Sequence, residues 1–302
     1  MPVATQLIID WAQVSLLSMA IGFLFFETGM LSLGHAGALL VGAYCVAFLA
    51  LGQLGWLPVM LLLMVVIGGL GLSSLRVRGD IFAVISLALA EALRFTALGA
   101  YGLTKGALGL GPIPWTWLRT DSGAAVAGLL AVGGVAAVYI LVVRGWPGLA
   151  LGAIRDNELV ARGLGFATLP IMFSAVALSC LVAALSGGLQ VAYYGIAYPT
   201  LGRLEVSLMA FAAVKLASPL WRQGRPLRSV TGQLGGTAVI VALPPFLRWM
   251  LPGSIDAAVL REILFGVLLY LLVLPPDWLA RATRWVGARR PQAAAGARGG
   301  TT

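Results

Sequence analysis

Residues 122–192 read SGAAVAGLLAVGGVAAVYILVV (122–143), RGWPGLA (144–150), LGAIRDNELVARGLGF (151–166) and ATLPIMFSAVALSCLVAALSGGLQVA (167–192), and this stretch decides the fold. Its first and last pieces are apolar and long enough for the roughly 20 residues that a bilayer core requires of a spanning helix. The piece between them is charged and does not belong in lipid. Written as a helix, it puts Arg155, Glu158 and Arg162 on one stripe, with Ala153, Val160 and Leu164 on the opposite one. Asp156 in the early turns and Arg162 in the late ones complement the helix dipole, and Gly163 and Gly165 offer positions for chain reversal. The spacing predicts one compact helix of about three turns over 152–165, with one face for a partner and the other lying on the protein.

Working outward, 60% hydrophobic residues, 10% charged residues and a mean hydropathy of +0.97 exclude a soluble globular domain. The expectation is an all-α polytopic membrane protein. Counting apolar runs predicts 8–10 transmembrane helices, the best placed near 6–26, 30–50, 55–75, 80–98, 122–143, 167–192, 204–221, 229–250 and 258–275. The short turn at Glu27–Gly29 and the glycines that follow make 30–50 readable as a broken or re-entrant element.

The net charge of +9 does not point to nucleic acid, because the basic residues cluster by loop. Arg76 and Arg78 fall in one loop and Arg144, Arg155 and Arg162 in a second. Arg222, Arg225 and Arg228 fall in a third, and Arg281, Arg284, Arg289, Arg290 and Arg298 in the tail. All four groups lie on one side if the spans are as counted, and the positive-inside rule makes that side cytoplasmic. The amino terminus is then expected outside, with the carboxyl terminus and residues 151–166 inside. The division expected is a transmembrane domain over 1–280 and a basic, disordered tail over 281–302. The first apolar run lacks the basic flank of a cleaved signal peptide.

Cys45 and Cys180 both lie in predicted spans and read as small buried apolar side chains rather than a disulfide. His35 is the single histidine, without the Cys/His company a metal site needs. The chain holds no G-x-x-x-x-G-K-[ST] phosphate loop; GLTKGALGLG from Gly102 has neither the spacing nor the following Ser/Thr. If transport is ATP-driven, ATP and its magnesium sit on another polypeptide, and this chain binds no cofactor and is no enzyme.

Four blocks in order carry a family resemblance: LSLGHAGALLVGAY (31–44), LRVRGDIFAVISLALAEALRF (75–95), LTKGALGLGPIP (103–114) and AIRDNELVARGLGF (153–166). With the ending PPDWL (275–279), the chain resembles permease subunits of the branched-chain amino-acid class of bacterial ABC importers over roughly 15–280. It departs from them at 214–236, VKLASPLWRQGRPLRSVTGQLGG, where the family usually has a Gly-Gly-x-Gly-Ser/Thr turn followed by Gly-Pro. The resemblance implies a multi-pass protein of the bacterial inner membrane that translocates branched-chain or other small apolar amino acids. It implies a second permease subunit in a heterodimer, two ATP-binding subunits, and a periplasmic or lipid-anchored solute-binding protein. It also implies that Arg155, Asp156, Asn157, Glu158, Val160, Ala161, Arg162, Leu164 and Gly165 couple to the ATPase. In that role Arg155 and Glu158 make polar contacts, Val160 and Leu164 pack, and Gly165 sets the exit angle.

Each block has a plainer reading beside this one. Residues 151–166 could instead be a solvated helix lying on anionic lipid. Gly29, Gly34, Gly37 and Gly42, with Ser32 and Ala36, suit close helix packing, or an interrupted helix lining a solute path with His35. Glu91 and Arg94, three apart in a predicted span, are a structural ion pair or line the path, and by default they face the bundle interior. The candidate path residues are Ser32, Gly34, His35, Glu91, Arg94 and Thr104. The glycine-rich stretch 99–114 is an external connection or a contact for a binding protein, and Trp115 and Trp117 suit the membrane interface. Other cargoes open to the same importer class are urea, short amides and small organic acids. An ion-coupled secondary transporter would need several mid-span carboxylates, and Glu91 is the clear one.

Overall fold

The structure, a computed structural model, describes residues 3–52, 66, 68–69, 80–115, 120–221, 225–250 and 266–267. Among these the chain is helical, and its single β contact is an isolated antiparallel bridge between Leu110 and Ala197. Among the described residues, four apolar helical stretches are long enough to cross a membrane: Thr5–Thr28, Ile81–Gly99, Ser122–Arg144 and Thr168–Tyr194. They coincide with four of the predicted spans, and the chain is an all-α membrane protein. Most of predicted spans 55–75 and 258–275, and all of the basic loop at 75–79 and the tail 281–302, lie outside the described residues.

Helix α1, Val3–Phe23, runs without a break into a π-helical turn, Leu24–Thr28, which Gly29 ends at φ +72°. The expected loop at Glu27 is thus the last turn of the first span. After an irregular 30–34, α2 covers His35–Ala50; its 16 residues rise about 24 Å, short of a hydrocarbon core about 30 Å thick. Helix α3 is Asp80–Gly99 and the short α4 is Tyr101–Thr104. Helix α5, Asp121–Arg144, starts where the Thr120 hydroxyl accepts from Gly123 N–H at 3.2 Å. Helices α6, Trp146–Asp156, and α7, Glu158–Gly163, follow, and α8 is Thr168–Tyr194. Where a span was expected over 204–221, α9 stops at Ala217 after 14 residues, and a 3-10 turn at Ser218–Leu220 holding Pro219 takes over. Helix α10 is Pro226–Met250.

Helix α1 is the axis of the bundle, touching α5, α8, α9 and α10. Of its span 72% is buried, against 22% of the span in α5, which therefore offers most of its surface to lipid or to a partner. The tightest contact joins α2 to α8. A Cβ at Gly42 would stand 2.2 Å from the Ala184 carbonyl oxygen, and one at Gly187 would stand 2.0 Å from that of Leu39. Backbone meets backbone there, as small residues permit in lipid. Serine and threonine hydroxyls pin the other crossings: Ser15 shares a 2.8 Å hydrogen bond with Thr237, and Ser186 donates to the Gln13 carbonyl at 3.0 Å. Cys45 and Cys180 are buried free thiols, as expected of their apolar surroundings.

Candidate functional site

The charged segment is two helices rather than one. Asn157 is extended (φ −161°, ψ 108°), ends α6, and caps α7 by accepting from Leu159 N–H at 3.0 Å and Val160 N–H at 3.2 Å. This break shifts the phase of the expected stripes. Ala150, Leu151, Ile154 and Ala161 face the protein, while Leu149, Leu159, Val160 and Leu164 are exposed together with Asp156 and Arg162. Val160 and Leu164 thus share the outer side with charges instead of opposing them, and Arg155 has left that side. Helix α7 ends as a Schellman closure around Gly165 at φ +87°: Phe166 N–H bonds the Ala161 carbonyl at 3.1 Å and Gly165 N–H that of Arg162 at 3.0 Å. Gly165 is the reversal position; Gly163 is the last residue of the helix.

Two arginines fix this elbow to the bundle. Arg155 donates to the Phe26 carbonyl at 2.7 Å, satisfying an end of the π-helical turn with positive charge, and lies 4.2 Å from the centroid of the Trp221 ring. Trp221 stacks on Phe26 with centroids 5.6 Å apart, and a Cβ at Gly29 would press on the Arg155 stem at 3.2 Å. Arg162 pairs with Glu158 at 2.7 Å and donates to the Thr168 hydroxyl at 3.0 Å, tying α7 to the first residue of α8. The segment is therefore clamped to α1 at one end and to α8 at the other.

Glu27 and Trp221 complete this site, and sequence reasoning did not single out either. Glu27 is buried, accepts from Tyr139 hydroxyl at 3.1 Å and feels the nearby Arg155 charge. Tyr139 shares a 3.2 Å bond with Ser229, which accepts from Gln233 at 3.2 Å. The available signal was a lone carboxylate in an apolar frame, FLFFETG at 23–29 reading on into the first span, where an acid needs partners.

The candidate path residues form no single lining. Ser32, Gly34 and His35 sit together in the core: His35 is fully buried, bonded through Nδ1 to the Ser32 carbonyl at 3.3 Å and through Nε2 to the Ser179 hydroxyl. A Cβ at Gly34 would stand 2.7 Å from the Ser86 carbonyl oxygen, and Ser86 accepts from Leu33 N–H at 3.0 Å. Packing, not a water-filled gap, occupies the glycines here. Glu91 and Arg94 pair at 2.7 Å on the half-exposed flank of α3, away from its buried face of Phe82, Ser86, Ala90, Leu93 and Ala97, and Arg94 also lies 4.4 Å from the Phe95 ring centroid. Thr104 is buried and saturated, donating to the carbonyls of Ala97 at 2.6 Å and Ala100 at 2.9 Å and accepting from Gly106 N–H at 3.2 Å. It orders the glycine-rich stretch, which is then pinned by Leu110 N–H to the Ala197 carbonyl at 2.7 Å and Ile113 N–H to that of Gly195 at 2.9 Å.

Comparison with known proteins places this geometry. The profile of the family described as branched-chain amino acid transport system / permease component matches residues 4–274. The chain is 29% identical over 222 residues to the high-affinity branched-chain amino acid transport system permease protein LivM of Escherichia coli (strain K12), covering 63% of this chain and 52% of that one. It is 28% identical over 222 residues to the LivM of Salmonella typhimurium (strain LT2), with the same 63% and 52% coverage. The chain thus spans about half the length of the curated relatives it matches. No solved structure matches. With a family profile running from the first turns of α1 to residue 274, this membrane protein belongs to the permease-component family of branched-chain amino acid transport systems.

Proposed function

We propose that the chain is one of two permease subunits in an ATP-driven importer of branched-chain or other small apolar amino acids in a bacterial inner membrane. It is not itself an enzyme: ATP and magnesium are handled by two separate ATP-binding subunits, and a periplasmic or lipid-anchored protein delivers the solute. The amino terminus lies outside, the carboxyl terminus inside, and the α6–α7 elbow projects into the cytoplasm, where the basic residues of its flanks keep it.

The observation that carries this reading is the two-sidedness of the elbow. Its outer side offers exposed Leu149, Leu159, Val160 and Leu164 together with the charge of Asp156, a mixture suited to a protein groove. Its inner side is fixed by Arg155 to α1 and by Arg162 to α8. An ATPase that moves on nucleotide binding would therefore drag α1 and α8 together, turning binding energy at one end into a change of access at the other. The test is to isolate the chain with its ATPase subunits and to deplete ATP at constant membrane potential. Co-purification and loss of uptake are expected; uptake that persists without ATP would sink the proposal.

A further inference from the structure

We infer that the flank of α3 carrying Glu91 and Arg94 is a contact surface for the second permease subunit, which meets it with an uncharged polar side chain, an amide or a hydroxyl, on a membrane-spanning helix.

The pair lies in mid-span. From Asp80 to Glu91 the axis rises roughly 16 Å, and from Glu91 to Gly99 roughly 12 Å. The side chains are nevertheless open to the outside of the chain, Glu91 by 30% and Arg94 by 19%. Hydrocarbon is a costly neighbour for such charges. An arginine facing lipid extends its head toward the nearer interface, which from Arg94 lies past Gly99. Here the guanidinium turns back toward mid-span instead: Nε donates to Glu91 Oε2 at 2.8 Å, and Nη2 lies 2.7 Å from the same oxygen. Among the described residues, no hydrogen-bonding group reaches Glu91 Oε1 or Arg94 Nη1. A pair with an open carboxylate oxygen and open N–H groups, away from both membrane surfaces, calls for a polar neighbour outside the chain. Because the pair is neutral as a whole, a further charge there would be left uncompensated. A group that both donates and accepts fills both openings.

The surroundings agree. Ala88 and Ala92, exposed on the same side, are small enough to let another helix approach within reach of the pair. The chain's own Gly69 adjoins α3 on the opposite flank, where a Cβ would stand 3.9 Å from Leu89. Helix α5 supplies the contrast. It is as open as α3, yet residues 122–143 hold no charge, so its outer side suits lipid where that of α3 does not.

This inference rests on the reading of two permease subunits in one importer, and its experiment separates the two. In membranes holding the assembled importer, Ala88→p-benzoylphenylalanine and Ala92→p-benzoylphenylalanine, made singly, should on irradiation join this chain to the second permease subunit. Glu91→Ala combined with Arg94→Ala should still insert and bind the ATP-binding subunits, while its affinity for the second permease subunit in mild detergent falls about three- to twentyfold, the loss of interhelical polar bonds. Glu91→Leu combined with Arg94→Leu, which keeps the bulk, should act in the same direction. Unchanged association in both variants would overturn the assignment, since removing charges from a lipid-facing flank leaves association untouched. So would a crosslink to lipid alone, to another helix of this chain or to a second copy of it. A raised KM for leucine with association intact would place the pair on the solute path and overturn the assignment as well. Uptake that persists without ATP while the crosslink to the second permease subunit forms would instead defeat the transport reading and leave the contact standing.

Discussion

The guanidinium of Arg155 lies 4.2 Å from the centroid of the Trp221 ring, joining the elbow between α5 and α8 to the turn before α10. The same arginine closes the π-helical end of α1 through the Phe26 carbonyl. Three parts of the chain far apart in sequence thus meet at one cation. Truncating either side chain should leave the protein inserted but loosen the elbow. A double-mutant cycle of Arg155→Ala and Trp221→Ala, followed by thermal unfolding in detergent, should give a coupling of about 0.5–2 kcal/mol, and additive effects would show that the two act separately.

Glu158 pairs with Arg162 one turn along α7, at an exposed site where such a bond stabilises by only about 0.3–0.5 kcal/mol. Glu158→Lys should therefore leave insertion and unfolding temperature nearly unchanged, while ATP hydrolysis proceeds without matching uptake in reconstituted importer. Normal coupled uptake in that variant counts against docking through this helix.

Asn157 holds the elbow's bend by capping α7 at two amides. Asn157→Ala should cost about 1 kcal/mol locally, and Asn157→Asp should restore most of it. Hydrogen exchange at the amides of Leu159 and Val160 reads this directly; unchanged protection in the alanine variant would mean the cap is idle.

His35 is satisfied by Ser32 and Ser179 inside the core, so its role is to hold α2 against α8. His35→Ala should lower stability by about 2–4 kcal/mol, combining a cavity with two stranded partners. Among variants that still assemble, such as His35→Gln, KM for solute should stay within about twofold. A large KM change in a fully stable variant would return His35 to the solute path.

Glycines of the same bundle should differ sharply in tolerance. Gly42→Ala puts a Cβ 2.2 Å from the Ala184 carbonyl oxygen and should cost about 2 kcal/mol or more, while Gly133→Ala, with nothing within 4 Å of its Cβ, should gain about 0.5–1 kcal/mol. Thermal unfolding of the two purified variants in one detergent checks the contrast.

What was legible in the sequence follows from how strongly physics constrains each element. Residues 122–143 and 167–192 are each apolar throughout and longer than about 20 residues, and both appear as spans because lipid leaves an apolar backbone no alternative to a helix. The segment between them was legible as charged, helical and reversing at Gly165, but not as bent. Periodicity assumes one unbroken helix, and a single extended residue, Asn157, resets it. Arg155 was consequently assigned to the outer face when it serves the inner one. Glu27 was hidden because a lone Glu before Thr-Gly reads as a turn, whereas a π-helical turn carries the span past it. The stretch at 214–236 departs from the family pattern, yet it supplies Trp221, whose role depends on contacts with residues 66 and 195 positions away in the chain, Arg155 and Phe26, that no local pattern encodes.

The interlocked backbones of α2 and α8 restrict how this protein can move. At Gly42 and Gly187 no side chain stands between the two helices that could change rotamer to let one slide past the other. The pair is a single plank, with no plane of shear inside it. Any alternation between outward and inward access must then pivot at its borders, and the chain offers one there: the π-helical turn and left-handed Gly29, where α1 hands over to the plank and where Arg155 has its grip.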